Sequence, residues 1–199
     1  TKVLHELKEN GQKIVDLEAL ANHKGSAFGG MGQPPQRRQE MFENMLAQEL
    51  SDVSIKMTEI NGSKTINHQL STVIYLEDES QRIGNLQIPM PLWYSMRKAP
   101  VFFVDIPFEE RLGHIVQEYG KLDPEKLIDA IGRITQKLGN LNAKTAISLL
   151  NEGKIRESFD ILLNYYDKFY FKSLHNRESI NSLLHTISFE SVNPANAKT

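Results

Sequence analysis

Val3, Leu4 and Leu7 form a short helical stripe that stops at Asn10-Gly11, and Lys13 to Leu17 then reads as a strand. Past a glycine-rich loop (Gly25, Gly29, Gly30, Gly32) and Pro34-Pro35, the residues Met41, Phe42, Met45, Leu46 and Leu50 recur at helical spacing. This predicts a helix from about Pro35 to Leu50. Ser71-Thr72-Val73-Ile74-Tyr75-Leu76 is β-branched and apolar without alternation, the pattern of a strand covered on both faces. Val101 to Ile106 repeats that pattern after a helix predicted from Pro89 to Lys98. From Phe108 the periodicity is helical throughout. Phe108, Leu112, Ile115, Val116 and Tyr119 share one face, Leu127, Ile131, Ile134 and Leu138 a second, and Ile155, Phe159, Leu162, Leu163, Tyr166 and Tyr170 a third, preceded by a shorter helix near Ala143 to Leu150. Leu184 to Phe189 has weak strand character, and the polar Asn193 to Thr199 reads as a frayed tail.

Strands separated by helices imply right-handed crossovers, so the expected class is α/β, a mostly parallel sheet flanked by helices with a helical C-terminal layer. Residues 1–120 are expected to form the α/β core. Residues 121–199 read as a helical extension of the same domain, with a short terminal strand and the polar tail.

At 199 residues, with 40% hydrophobic and 24% charged, the chain suits one folded domain. No window approaches the roughly 18 apolar residues of a membrane span, and no signal peptide opens the chain, so a cytoplasmic setting without membrane contact is expected. The chain starts directly in a helical pattern at Thr1, which reads as a piece of something longer. The absence of cysteine excludes disulfides, thiolate-bound zinc and a cysteine nucleophile within these residues. A net charge of −2 argues against a broadly basic nucleic-acid surface, leaving Arg37-Arg38 and Arg97-Lys98 as local clusters able to meet phosphates, or simply as solvated faces.

Chemistry concentrates in Ala21-Asn22-His23-Lys24-Gly25-Ser26-Ala27-Phe28-Gly29, expected at the end of a strand, where open α/β sheets place ligands. Imidazole titrates near neutrality and ammonium binds phosphate as a point charge, so His23 and Lys24 are acid–base and anion-binding candidates. The glycines would let backbone N–H groups approach such an anion. The strand closing on Glu77-Asp78-Glu79-Ser80 resembles a Walker B element, whose carboxylate holds Mg²⁺ or orients a water; solvated charges or a helix cap are the ordinary alternative. That reading calls for a phosphate loop, and none is intact. Asn61-Gly62-Ser63-Lys64-Thr65 lacks the upstream glycine and strand and reads as a plain turn, whereas Thr1 stands where the last residue of such a loop would lie. Arg82 and Arg111 could each reach a phosphate at the sheet's carboxyl edge, with a salt bridge to Glu109 or Glu110 the plainer role for Arg111.

Together these residues resemble the tRNA 2-selenouridine synthase family. The resemblance rests on Ile14 to Gly29 with its Asn-His-Lys-Gly-Ser loop, Gln39-Glu40-Met41-Phe42-Glu43-Asn44, Glu77-Asp78-Glu79-Ser80 with Arg82-Ile83-Gly84, and Ile106-Pro107-Phe108-Glu109-Glu110-Arg111-Leu112. It implies a P-loop NTPase-like domain, lacking most of its phosphate loop here, that follows an N-terminal rhodanese-like domain bearing a catalytic cysteine. It further implies action on wobble 2-thiouridine in tRNA, first S-geranylated from geranyl diphosphate and then exchanged for selenium from selenophosphate. On this resemblance His23 and Lys24 would be catalytic. Thr1, Asn22, Gly25, Ser26, Arg82 and Arg111 would bind the diphosphate substrate, with the loop amides. Arg37, Arg38, Arg97 and Lys98 would contact tRNA, and Glu77 and Asp78 would hold Mg²⁺ where a metal takes part; no tightly bound cofactor is expected. A P-loop small-molecule or nucleoside kinase, separable by ATP consumption, and a non-catalytic tRNA-docking module, separable by salt-sensitive tRNA binding without donor binding, are the competing readings.

Overall fold

The computed structural model describes residues 2–54, 56–60, 63–67 and 73–198, which divide into two units. The first comprises residues 1–90 with 193–199, the second residues 91–192. The expected helical extension from residue 121 thus lies in the second unit up to residue 192, with its tail in the first.

In the first unit, α1 (Lys2–Glu9) runs into β1 (Lys13–Ile14), which pairs in parallel with β4 (Ile74–Tyr75). The strand expected over Lys13 to Leu17 is cut short. The Val15 N–H still donates to the Tyr75 carbonyl at 3.0 Å, but Asp16 then accepts the Ala19 N–H at 2.7 Å and caps a helix, α2 (Leu17–Ala21). An aspartate that satisfies a helical N–H in this way stops a strand as firmly as it starts a helix. The loop therefore follows a helix C-terminus, with Asn22 in the left-handed cap, rather than a strand end.

The predicted Pro35 to Leu50 helix is α3 (Gln39–Ser54), displaced because residues 35–38 stay outside the helix with the side chains of Gln36 and Arg37 bonded elsewhere. β2 (Lys56–Ile60) and β3 (Ser63–Asn67) pair antiparallel, so Ser63, Lys64 and Thr65 of the expected turn lie on a strand; Asn61 and Gly62 fall outside the described residues, as do Ser71 and Thr72 of the predicted strand that becomes β4. β5 (Arg82–Ile83) and β6 (Leu86–Gln87) make a second hairpin. Val15, Leu17, Ala21, Phe42 and Ile83 are fully buried in the core of this unit. The tail expected to fray instead forms a 3₁₀ turn, Pro194–Lys198, packed against α1.

In the second unit α4 (Met90–Lys98) leads to β7 (Val101–Asp105), followed by α5 (Phe108–Tyr119), α6 (Pro124–Leu138), α7 (Asn140–Asn151), α8 (Ile155–His175) and α9 (Ile180–Leu183). β8 (Leu184–Ser188) closes it, parallel to β7 from Val101 opposite Leu184 to Asp105 opposite Ser188. The start of α6 is written in its sequence: Asp123 accepts the Glu125 N–H at 3.0 Å and Pro124 takes the first turn. α7 and α8 pack around Ser158, which is fully buried and donates its hydroxyl to the Ala146 carbonyl at 2.9 Å. Ser158→Ala is expected to cost about 1 kcal/mol, the net worth of one buried hydrogen bond, read as a shift of the urea midpoint.

The class is mixed α/β with short parallel pairs. In place of one mostly parallel sheet, the described residues carry four two-stranded sheets, two parallel and two antiparallel. The two-residue strands of the β5–β6 hairpin are too short to leave a period in the sequence. Among the described residues no helix is long and apolar enough to cross a membrane.

Candidate functional site

Two acidic segments leave the first unit's parallel strand pair side by side. Lys13 lies opposite Ile74 and Ile14 opposite Tyr75, and the same register carried forward sets Asp16 against Glu77 and Glu18 against Glu79. Both meetings occur. Glu77 Oε2 accepts the Leu17 N–H at 2.9 Å, at the start of α2, and its carboxyl faces that of Asp16. Burial first, and then the Asp16 charge, push Glu77 up to about 8. Asp16 itself stays below its usual value: burial pushes it up, but bonds from the Ala19 N–H, His5 and Glu77 outweigh that, with His5 Nε2 at 2.6 Å from Oδ2.

Glu79 behaves like Glu77. Burial, then the charge and hydrogen bond of Glu18, then the charge of Asp78, push it up to about 8. Two carboxyls in contact cannot both ionise cheaply, so each pair retains a proton near neutral pH. The Glu79 carboxylate also fills the space that a side chain at Gly25 would need: a Cβ there would lie 2.4 Å from Oε1 and 2.5 Å from Oε2. The loop and the Glu77-Asp78-Glu79 segment are thus in contact.

The loop is internally bonded. His23 N–H reaches the Glu18 carbonyl at 3.0 Å, Lys24 N–H the Gly29 carbonyl at 2.9 Å, Ser26 N–H the Lys24 carbonyl at 2.7 Å and Gly29 N–H the Ser26 carbonyl at 2.9 Å. Phe28 N–H donates to Ser26 Oγ at 3.2 Å, and Gly25 N–H donates to His23 Nδ1 at 3.1 Å. The amides of Lys24, Gly25, Ser26, Phe28 and Gly29 are therefore engaged within the loop, because its tight turns close on themselves, and that of His23 is engaged on the end of α2. The bond to Nδ1 makes that nitrogen an acceptor, so the proton of a neutral His23 sits on Nε2. The imidazole is half-buried against Gly29 and Gly30, and Lys24 and Ser26 are half-buried beside it.

The other expected residues divide by unit. Thr1 lies outside the described residues. Asn22 donates Nδ2–H to the Pro35 carbonyl at 3.0 Å and accepts from Arg37. Arg37 is turned onto α2, whereas Arg38 is exposed. Arg82 is exposed on β5. Asp78 is exposed, Glu77 Oε2 accepts the Leu17 N–H, and among the described residues no group of three or more His, Asp or Glu side chains is gathered as a metal site.

Arg111, Arg97 and Lys98 belong to the second unit. Arg111 forms a two-pronged pair with Asp167 on α8, at 2.6 and 2.8 Å, and its Nε donates to the Ile106 carbonyl at 3.0 Å. The partner of Arg111 is Asp167 rather than Glu109 or Glu110, and Glu109 pairs with Arg156. Arg97 stacks over Trp93 at 5.7 Å and donates to the Ser173 carbonyl at 3.2 Å, and Lys98 is exposed.

Glu18 and Glu79 join the site as a facing carboxyl pair, and Gln36 joins it through its bonds to Ile83 and Asn85, roles that the sequence did not assign to them. The signal for the first two was present as an acid-x-acid spacing repeated after two strands, Asp16-Leu17-Glu18 and Glu77-Asp78-Glu79.

A family model described as the tRNA 2-selenouridine synthase AAA domain matches residues 1–193. Three proteins named tRNA 2-selenouridine synthase are similar to the chain. That of Nitrosomonas europaea is 31% identical over 160 residues, 80% of this chain and 37% of that protein. That of Shewanella frigidimarina is 34% identical over 139 residues, 70% of this chain and 32% of that protein. That of Aeromonas salmonicida is 32% identical over 200 residues, 85% of this chain and 50% of that protein. The chain thus spans between a third and a half of the length of these relatives. No solved structure matches it. With nearly its whole length matched, the chain belongs to the tRNA 2-selenouridine synthase AAA-domain family.

Proposed function

We propose that this chain is the donor-handling part of a tRNA-modifying transferase that converts wobble 2-thiouridine to 2-selenouridine through an S-geranyl intermediate, taking geranyl diphosphate and then selenophosphate. The observation that carries the reading is the closed Asn22–Gly29 loop, with His23 Nδ1 committed to the Gly25 N–H and Lys24 beside it. In the first step the thiouridine sulfur attacks the allylic carbon of the donor, the C–O bond breaks with its electron pair leaving on the diphosphate, and the N3 proton of the base passes to water. A diphosphate leaves faster when its charge is neutralised as it develops. Lys24 and Arg82 supply that charge, and Nε2–H of His23 donates to the departing oxygen. With most of the loop amides engaged, anion recognition falls to side chains. Arg38, Arg97 and Lys98 supply phosphate contacts for tRNA, and a rhodanese-like domain of the longer protein supplies the cysteine chemistry this chain lacks.

In the full-length protein His23→Ala and Lys24→Ala are each expected to slow S-geranylation by about 10²-fold, followed by mass spectrometry of digested tRNA. Unchanged geranyl transfer in both variants would refute the assignment. ATP consumption in step with turnover would point to phosphoryl transfer.

A further inference from the structure

Between the loop and α3 the chain passes through Pro34-Pro35-Gln36-Arg37-Arg38 without regular structure, yet two of its side chains are heavily committed. The Gln36 amide group donates to the Ile83 carbonyl at 2.9 Å and the Ala21 carbonyl at 3.4 Å, while its oxygen accepts the Asn85 N–H at 2.8 Å. One side chain thereby ties the start of the loop to the turn between β5 and β6. That turn is shaped around it: Gly84 sits at φ +60, and a Cβ there would lie 2.5 Å from Gln36 Oε1.

Arg37 completes the tie. Its Nη1 donates to the Leu20 carbonyl at 3.1 Å, the Ala19 carbonyl at 3.3 Å and Asn22 Oδ1. Those carbonyls lie in the last turn of α2, where a cation is favoured, and the Ala19 carbonyl also accepts the Asn22 N–H at 3.2 Å. Asn22 returns a bond to the Pro35 carbonyl at 3.0 Å, so the strap and the loop's first residue hold each other from both sides.

We infer that Gln36 and Arg37 are positioning residues, a strap that holds the His23–Lys24 loop against the Ile83–Asn85 turn, and that Arg37 serves the loop rather than tRNA. The catalytic consequence rests on the function proposed above; the mechanical one does not. A loop released from the strap loses alignment of His23 and Lys24 without losing tRNA affinity.

The test uses the full-length protein with Gln36→Ala, Gly84→Ala, the double variant, Arg37→Ala and Arg37→Lys. Amide hydrogen exchange across residues 22–29 should rise by about tenfold or more in Gln36→Ala and in Gly84→Ala, with exchange in α6 unchanged. The double variant should exchange no faster than either single one, because both break the same linkage. Arg37→Ala should lower kcat with KM for tRNA and the salt dependence of tRNA binding unchanged, and Arg37→Lys, which keeps a cationic donor, should restore part of the loop's protection. Loop exchange unaltered in both Gln36→Ala and Gly84→Ala would overturn the strap. Arg37→Ala lowering the salt slope of tRNA binding by about one would make Arg37 a phosphate contact instead. If the wild-type protein transfers neither geranyl nor selenium, the proposed function fails while the exchange measurements still decide the strap.

Discussion

Gly25→Ala is expected to cost about 2–3 kcal/mol of stability and to slow the full-length enzyme by roughly 10²-fold. Two effects act on one atom. Gly25 sits at φ +70, where an added Cβ meets the backbone at a cost of about 1–2 kcal/mol. The same Cβ would lie 2.4 Å from Glu79 Oε1, so a mostly buried carboxyl must move or the loop must open. The Glu79 end of the clash is a side chain, so its size is testable by removal. Glu79→Ala, added to Gly25→Ala, should restore the steric share and leave only the backbone share, a less-than-additive pair in urea denaturation. Full additivity, or a Gly25→Ala protein as stable as the parent, would mean that Glu79 does not occupy this space.

Stability should fall as pH rises from about 4.5 to about 8, the opposite of ordinary acid denaturation. Glu77 and Glu79 have an ordinary value of 4.5, and both are pushed up to about 8 by burial and by the Asp16 and Glu18 carboxylates respectively. Below 4.5 folded and unfolded chains are equally protonated at these positions, and the native state carries no penalty. Between the two values the unfolded chain has released the proton that the folded chain still holds, so each group lowers stability as pH rises until the folded value is passed. Asp16 works the other way: its lowered value contributes stability above its ordinary 3.8 that is lost as pH falls further. The first unit should therefore be most stable near pH 4 to 5. Urea titrations across this range check it, with Glu79→Gln, which keeps the shape but cannot ionise, flattening the decline by about half. A stability curve that rises from pH 5 to pH 8 would contradict the paired-carboxyl geometry.

Both predictions depend on features of unequal legibility. The helices of the second unit were legible from their stripes, because amphipathic helices against a core keep one apolar face. The apolar run at Val101 to Ile106 and the weak one at Leu184 to Phe189 were legible as strands, but only the fold set them side by side as β7 and β8. The early strand was over-read, since Lys13 to Leu17 is apolar enough for a strand but Asp16 satisfies a helical N–H and ends it after Ile14. The polar tail was under-read, because packing against α1 orders residues that composition alone leaves loose.

The candidate site divides in the same way. His23, Lys24 and their glycines stood out as residue types, since few other arrangements place imidazole, ammonium and hydroxyl among glycines. The Glu77-Asp78-Glu79 segment stood out for its place after a strand. What each would touch was not readable. The fold sets the Arg37 guanidinium on the end of α2, and α8 brings Asp167 to Arg111, partners that lie far off in the sequence.

The family, the helical half and the residue types of the loop are legible along the chain, because these rest on local pattern and residue type. Which carboxyls face each other, which partners the loop's amides find and what Gln36 touches come from the fold. Each of those depends on partners brought from distant positions, Asp16 from Glu77, Glu18 from Glu79 and Gln36 from Ile83, by the register of one short parallel strand pair and the turn of one small hairpin.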